Sequence, residues 1–195
     1  MINKKPLKKL IIIEGISSSG KTTVQRLLKE RLSKAGSVKT LSEGTTLISL
    51  VRNRSKKSAL DHLKRLLSKM ETSRYDFYIT DRFHLTHIFR TNSNPAYFRK
   101  LEKTMLTWFD VLLVLLVIDR RFIRKSLEHT FSIRKSLGKG KRGTIDDRVA
   151  YYEDQQEKLL KAAKASSLRL LRINTTKSAL KGTEWDGYVN KILKL

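Results

Sequence analysis

The chain predicts an α/β fold: a five-stranded parallel sheet layered between helices. Three observations carry that expectation. A short apolar run, Leu10–Ile13, leads through a glycine-bounded loop into an amphipathic helix, which is a strand, a tight turn and a helix in succession. Apolar runs of strand length then alternate with helical periodicity along the 195 residues. The longest of these runs, Val111–Ile118, has no polar residue, as a strand covered on both faces requires. A length of 195 residues suits one domain with a substantial core, so residues 1–195 are read as a single unit.

The elements follow in order. Residues 1–9 carry Lys4, Lys5, Lys8 and Lys9 around Pro6, a basic lead-in to a first strand at about 10–14. The loop Gly15-Ile16-Ser17-Ser18-Ser19-Gly20-Lys21-Thr22 has the spacing G-x-x-x-x-G-K-T and reads as a P-loop. Gly15 and Gly20 permit a backbone that aims successive N–H groups inward at a phosphate, and the helix N-terminus adds positive partial charge there. Ser17, Ser18 and Ser19 complete the cradle with Thr23 beyond it, Lys21 reaches the β- and γ-phosphates, and the Thr22 hydroxyl is a Mg²⁺ ligand. The fold is therefore expected to be a three-layer P-loop NTPase fold, with ATP and Mg²⁺ as cofactors.

Leu27, Leu28 and Leu32 place a helix over about 21–35, and Val38–Leu41 forms a second strand. Glu43 opens the loop after that strand, where open α/β sheets bind ligands. Leu47, Leu50 and Val51 then make a helical face, with Arg52 placed to meet an anion. A helix follows over 58–70, and Asp76–Thr80 is the third strand, ended by Asp81 and Arg82. An acid at a strand end beside a P-loop is a Mg²⁺ partner, and the adjacent arginine suits bidentate phosphate contact. His84 and His87 lack further metal ligands and read as polar pocket or surface residues. A turn at Asn92–Pro95 precedes a helix over 97–109, with Leu101, Met105, Leu106 and Trp108 facing inward.

Asp119 ends the long apolar strand and competes with Asp81 for the metal, with Asp81 preferred for its arginine neighbour. A helix runs from Ile123 to His129. Residues 130–148 gather Arg134, Lys135, Lys139, Lys141, Arg142 and Arg148 around Gly138, Gly140 and Gly143. A basic segment hinged by glycines suits a lid that closes on polyphosphate, with arginines such as Arg134 and Arg142 stabilising transferred charge. A long helix over 145–165, a fifth strand over 168–173 and a closing helix over 183–195 end the chain.

Cysteine is absent, which excludes disulfides and thiolate metal sites. No run is long enough to span a bilayer, and no secretory leader precedes the first strand, so a cytoplasmic, membrane-free protein is expected. The formal charge of +24 attracts anions, so nucleotides and nucleic acid are both candidate partners. The basic residues are spread along the sequence rather than gathered in one patch.

Several segments together resemble thymidylate kinase, within the nucleoside and nucleotide kinases of the P-loop group. Glu14-Gly15 through Thr22-Thr23 matches the family's E-G-x-x-x-x-G-K-T-T. Glu43-Gly44-Thr45-Thr46-Leu47 through Val51-Arg52 is similar to its E-P-G-G-T-x-L-x-x-x-I-R, one residue shorter near the glycines. Asp81-Arg82-Phe83 stands where the family has D-R-Y, and Asp110–Ile118 with Arg120-Arg121 resembles its next strand and helix. The basic segment and Tyr151-Tyr152 complete the order.

The resemblance implies phosphoryl transfer from ATP to a nucleoside monophosphate, dTMP foremost, and a homodimer. It implies that Lys21 and the loop amides hold the donor phosphates, that Thr22 and Asp81 serve Mg²⁺, and that Glu43 supports metal or acceptor. Arg52 and Arg82 would grip the acceptor phosphate. The departures fall on the base pocket. Ser17 stands where bacterial members carry an acid, Ser58–His62 replaces F-A-A-D-R, and Phe89-Arg90 replaces a Tyr-Gln pair. A nucleoside kinase with Glu43 as base, a polynucleotide 5′-hydroxyl kinase and a nucleotide- or nucleic-acid-binding protein without turnover remain the competing readings.

Overall fold

A computed structural model describes residues 7–52, 55–136 and 144–195. The chain runs β1 (Lys8–Gly15), α1 (Lys21–Leu32), β2 (Val38–Leu41), α2 (Glu43–Thr46), α3 (Ile48–Arg52), α4 (Lys56–Thr72) and β3 (Phe77–Asp81). It continues through α5 (His84–Arg90), a 3-10 turn (Pro95–Phe98), α6 (Arg99–Trp108), β4 (Phe109–Val117) and a second 3-10 turn (Arg120–Phe122). It closes with α7 (Ile123–Ser136), α8 (Ile145–Ala165), β5 (Arg169–Asn174), α9 (Thr176–Lys181) and α10 (Trp185–Leu193).

The five strands form one all-parallel sheet in the order β2-β3-β1-β4-β5. Side chains of a strand alternate between faces, and the core divides accordingly. Leu10 and Ile12 of β1, with Leu113 and Leu115 of β4, face Leu63 and Leu67 of α4, Leu101 and Met105 of α6, and Leu159 of α8. Ile11 and Ile13, with Leu112, Val114 and Leu116, face Val24 and Leu28 of α1 and Val189 and Ile192 of α10. Helices thus cover both faces of β1 and β4, which is why neither strand alternates in hydrophobicity.

The strand order reverses between β1 and β3, so their carboxyl ends border the crevice where such sheets bind ligands. Register fixes the crevice closely: Ile13 pairs with Asp81 on one side of β1 and with Val114 on the other. The residues after Ile13 and after Asp81 therefore leave the sheet side by side.

Local chemistry explains the helix starts. Ser55 caps α4 by accepting from Ser58 N–H at 3.1 Å. Thr144 and Asp147 form a reciprocal capping box that opens α8, each side chain accepting from the other's backbone N–H at 3.2 Å.

The structure amends the sequence reading in four places. The helix from Ile123 continues to Ser136, past His129, because the basic residues that suggest a loop are also good helix formers. The expected lid segment, 130–148, therefore has helical flanks, and residues 137–143, with Arg142, lie outside the described residues. The closing helix begins at Trp185, and a separate helix, α9, precedes it. Leu106 points outward, 42% exposed. Among the described residues, no helix is long and apolar enough to cross a membrane.

Candidate active site

The glycine loop leaves β1 at Gly15, whose φ is +148°. A Cβ there would lie 2.6 Å from the Leu116 carbonyl oxygen and 2.7 Å from Ser19 Oγ, so only glycine lets the loop turn against β4. Ser18 follows with φ +69°, and Gly20, at the N-terminus of α1, with φ +87°. The space beside Gly20 is filled by the indole of Trp185, which would clash with any Cβ. The Ser19 hydroxyl donates to the Ile16 carbonyl at 2.9 Å, and Thr175 Oγ1, at the end of β5, donates to the Ser19 carbonyl at 3.1 Å. The loop is thus pinned from within and from the far edge of the sheet.

Lys21 Nζ donates to the Ile16 carbonyl at 2.8 Å, and the side chain is buried. Burial and the like charge of Arg82 lower its pKa to about 8, against the opposing pull of Asp81, Glu43 and Glu14. A cation in that condition gains when an anion arrives.

Across the crevice stand Asp81 and Arg82. Arg82 is 4% exposed and adopts φ +64°, left-handed for a residue with a Cβ, and its N–H donates to the Ile13 carbonyl at 2.9 Å. Strain of this kind collects where function fixes a side chain. Its guanidinium sits between Glu43, with Nε 3.2 Å from Oε2, and Thr86, to which Nη1 donates at 3.4 Å. Burial pushes the Asp81 carboxyl up, and Lys21 and Arg82 offset part of that rise. Burial also acts on Glu43, but Arg82 and Lys21 outweigh it and hold its pKa below the usual carboxylate range.

Behind this front row, Glu14 is fully buried and accepts from Phe83 N–H at 2.7 Å, Thr86 N–H at 3.2 Å and the Thr86 hydroxyl at 2.6 Å. It supplies the acceptor and negative charge that the start of α5 needs, and through Thr86 it positions Arg82. Thr46 Oγ1 donates to the Asp81 carbonyl at 3.0 Å, and the Thr46 carbonyl accepts from His87 Nε2 at 2.9 Å. The proton on His87 therefore sits on Nε2. Burial keeps the ring neutral, with a pKa of about 4. His84 pairs with Glu102 at 2.9 Å, and both are buried. Neither histidine is a surface residue; both hold α5 in place.

These groups enclose a cavity of about 350 Å³. Of the residues singled out in the sequence, Ser17, Ser18, Gly20, Lys21, Thr22, Thr23, Glu43, Asp81 and Arg82 line it. Gly15 and Ser19 shape the loop from behind. Asp119 does not line the cavity; it is exposed and accepts from Asn174 Nδ2 at 2.8 Å. The side chains of Arg52 and Arg134 lie outside the described residues, as does all of Arg142. Sequence reasoning missed the walls supplied by His129, Thr130, Ser178, Ala179 and Trp185.

Among the described residues, no group of three or more His, Asp or Glu could hold a metal by itself. Mg²⁺ does not need one, since it is commonly held by one or two carboxylates together with substrate phosphates and water. Asp81 Oδ1 is buried and has no hydrogen-bond partner among the described residues, and Thr22 shares the cavity, so the donor set fits such an ion.

No protein-family model and no curated protein matches the chain. Solved structures do. YorR from Bacillus subtilis, in complex with phosphorylated GDP, aligns at a TM-score of 0.69 and 16% identity, over 95% of this chain and 94% of its own. Thymidylate kinase from Ehrlichia chaffeensis aligns at 0.57 and 19% identity, over 97% and 98%. At such identities the likeness shows the fold: the chain has the three-layer fold of P-loop kinases.

Proposed function

We propose that this protein transfers the γ-phosphoryl group of ATP to a nucleoside monophosphate. The observation that carries the reading is one cavity lined on one side by the glycine loop and Lys21, and on the other by Asp81, Arg82 and Glu43. The loop amides and Lys21 hold the donor phosphates. Arg82, fixed by Glu43 and Thr86, holds the acceptor phosphate, and Arg52 joins it. Thr22 and Asp81 hold Mg²⁺, which supplies charge neutralisation on the phosphates when bound. Transfer then depends on the alignment of two phosphates and on neutralisation of their charge. Lid arginines, Arg134 and Arg142, complete the neutralisation.

The resemblance to thymidylate kinases favours dTMP as acceptor. A second reading, a guanine nucleotide, is favoured by the likeness to YorR, which holds a phosphorylated GDP. The test is ATP consumption with Mg²⁺ against nucleosides, nucleoside monophosphates and a 5′-hydroxyl oligonucleotide. Turnover with a monophosphate, abolished by Lys21→Ala in a folded variant, is the expected result. Turnover with hydroxyl acceptors alone, or full activity of Lys21→Ala, would overturn the proposal.

A further inference from the structure

The fold sorts the charges that the sequence scatters. The chain has 42 Lys and Arg against 18 Asp and Glu, and every Asp and Glu lies among the described residues. On α7 and α8 the cations are paired: Arg124 with Asp146, Lys158 with Asp154 at 2.9 Å, and Lys161 with Glu157 at 2.6 Å. The last two are opposite charges at i, i+4, an arrangement that steadies an exposed helix. Helices α4 and α6 are built the other way. They lead into β3 and β4, bury their apolar sides against the same face of the sheet and pack on each other. Their outer sides expose Lys57, Lys64, Arg65 and Lys69 on α4, and Arg99, Lys100 and Lys103 on α6. Among the described residues none of these side chains makes an ion pair. Arg65 and Lys69, and again Arg99 and Lys103, set like charges at i, i+4, a spacing at which they repel. The nearby acids do not relieve them. Glu102 is buried and held by His84, Ser166 and Ser167, and Asp61 and Glu71 pair with none of these cations.

A repulsion that the fold leaves standing is relieved by an anion from outside. Among the described residues, the large apolar side chains exposed on this face are Tyr97 and Leu106. That is too little apolar surface to enter a bilayer or to hold a stable dimer. A two-fold axis placed here would also set each cation against its own kind. A dense, fixed row of phosphates meets neither obstacle. Single strands gain much of their hold from bases stacked on aromatic rings, and Tyr97 is the one exposed ring here among the described residues. The outside of a duplex asks only for cations.

We propose that the outer face of α4 and α6 binds duplex nucleic acid through its phosphates, without base preference. Contacts to phosphates alone carry no sequence information. The surface is separate from the candidate active site, since none of its cations lines the cavity. Its function therefore stands or falls apart from the phosphotransferase reading.

The test removes both like-charge pairs at once, with Arg65→Gln, Lys69→Gln, Arg99→Gln and Lys103→Gln in one variant. A control removes equal charge from the helices on the other face of the sheet, with Lys29→Gln, Lys34→Gln, Lys191→Gln and Lys194→Gln. Binding of the full chain to a mixed-sequence DNA duplex of about 30 base pairs, and to a single strand of that length, is followed by fluorescence anisotropy across salt. With about five phosphates engaged, duplex affinity is expected to fall by about 500-fold between about 50 and 200 mM salt. The face variant is expected to bind at least about tenfold more weakly, with a visibly flatter salt slope, and the control to change by less than about threefold. Its thermal midpoint should stay or rise, because repelling pairs are gone, so weaker binding is not unfolding. No duplex binding at low salt, equal weakening by the control, or tighter binding of the single strand would overturn the proposal. So would displacement of the duplex by ATP and Mg²⁺ at constant ionic strength, which would place it in the cavity. A dimer in light scattering that the face variant alters, or capture by phosphatidylserine vesicles in preference to DNA, would assign the face to another partner and overturn it too.

Discussion

Lys21 shows how far one side chain's chemistry depends on its surroundings. Burial and Arg82 bring its pKa to about 8, so near pH 8 part of the population is neutral. A polyphosphate beside Nζ restores the charged form, and the complex must take up a proton to do so. We expect ATP binding at pH 8 to take up about half a proton, falling toward zero near pH 6. Calorimetric titrations in buffers of unlike ionisation enthalpy read that number directly. In Lys21→Met the uptake should vanish, and persistence of the full uptake there would assign it to another group.

The element that fixes the loop from outside is α10. Its first residue, Trp185, fills the space above Gly20, which itself sits at φ +87° at the start of α1. Arg31 of α1 ties the two helices further through Asp186, at 2.5 Å. Gly20→Ala therefore faces two obstacles, the indole and the left-handed backbone. Its ATP affinity should fall at least tenfold. Adding Trp185→Ala should recover part of the loss by clearing the indole, leaving a strain of about 1–2 kcal/mol. If the double variant were no better than the single one, the indole would not be what holds the loop.

The molecule as a whole should lose stability toward acid in two stages. His87 has a pKa of about 4 in the fold against about 6.5 in the unfolded chain. Between those values the unfolded chain binds the extra proton, so stability falls as pH drops from about 6.5 to 4, by on the order of 3 kcal/mol. Glu102 behaves separately. Burial would raise its carboxyl, but His84, Ser167 and Ser166 hold it at about 2, so its contribution is present above about 4.5 and is lost below. Denaturation midpoints across pH 4–7.5 should show the first stage in the wild type and its absence in His87→Gln. An unchanged slope in that variant would assign the loss to another group.

At this scale it is also clear what could be read in advance. The sheet, the glycine loop, Asp81, Arg82 and Glu43 were legible because their signals are local: a fixed spacing, an apolar run, an acid at a strand end. Glu14 capping a helix 70 positions away, Trp185 over Gly20 and Thr175 bonded to Ser19 were not, because packing brings distant residues together without a sequence period. The helix α9 was missed because Thr176–Lys181 is six residues with little apolar spacing. Of the two readings left open for the histidines of α5, polar pocket or surface, the burial of both excludes the surface, and the choice had to wait for their carbonyl and carboxylate partners.

The position of β1 has a consequence for the order of assembly. Its neighbours, β3 and β4, begin at Phe77 and Phe109, so the first strand of the chain has no partner until β3 is made and is not paired on both sides until more than half the sequence is available. On a ribosome, the apolar stretch Leu10–Ile13 waits for a first partner until Asp81 has emerged and for its second until Val117 has. Closure of such distant parallel pairs is slow. The glycine loop, held between the ends of β1 and β4, takes shape in the same late step. Nucleotide binding during refolding should accordingly lag behind helix formation and coincide with the slowest phase.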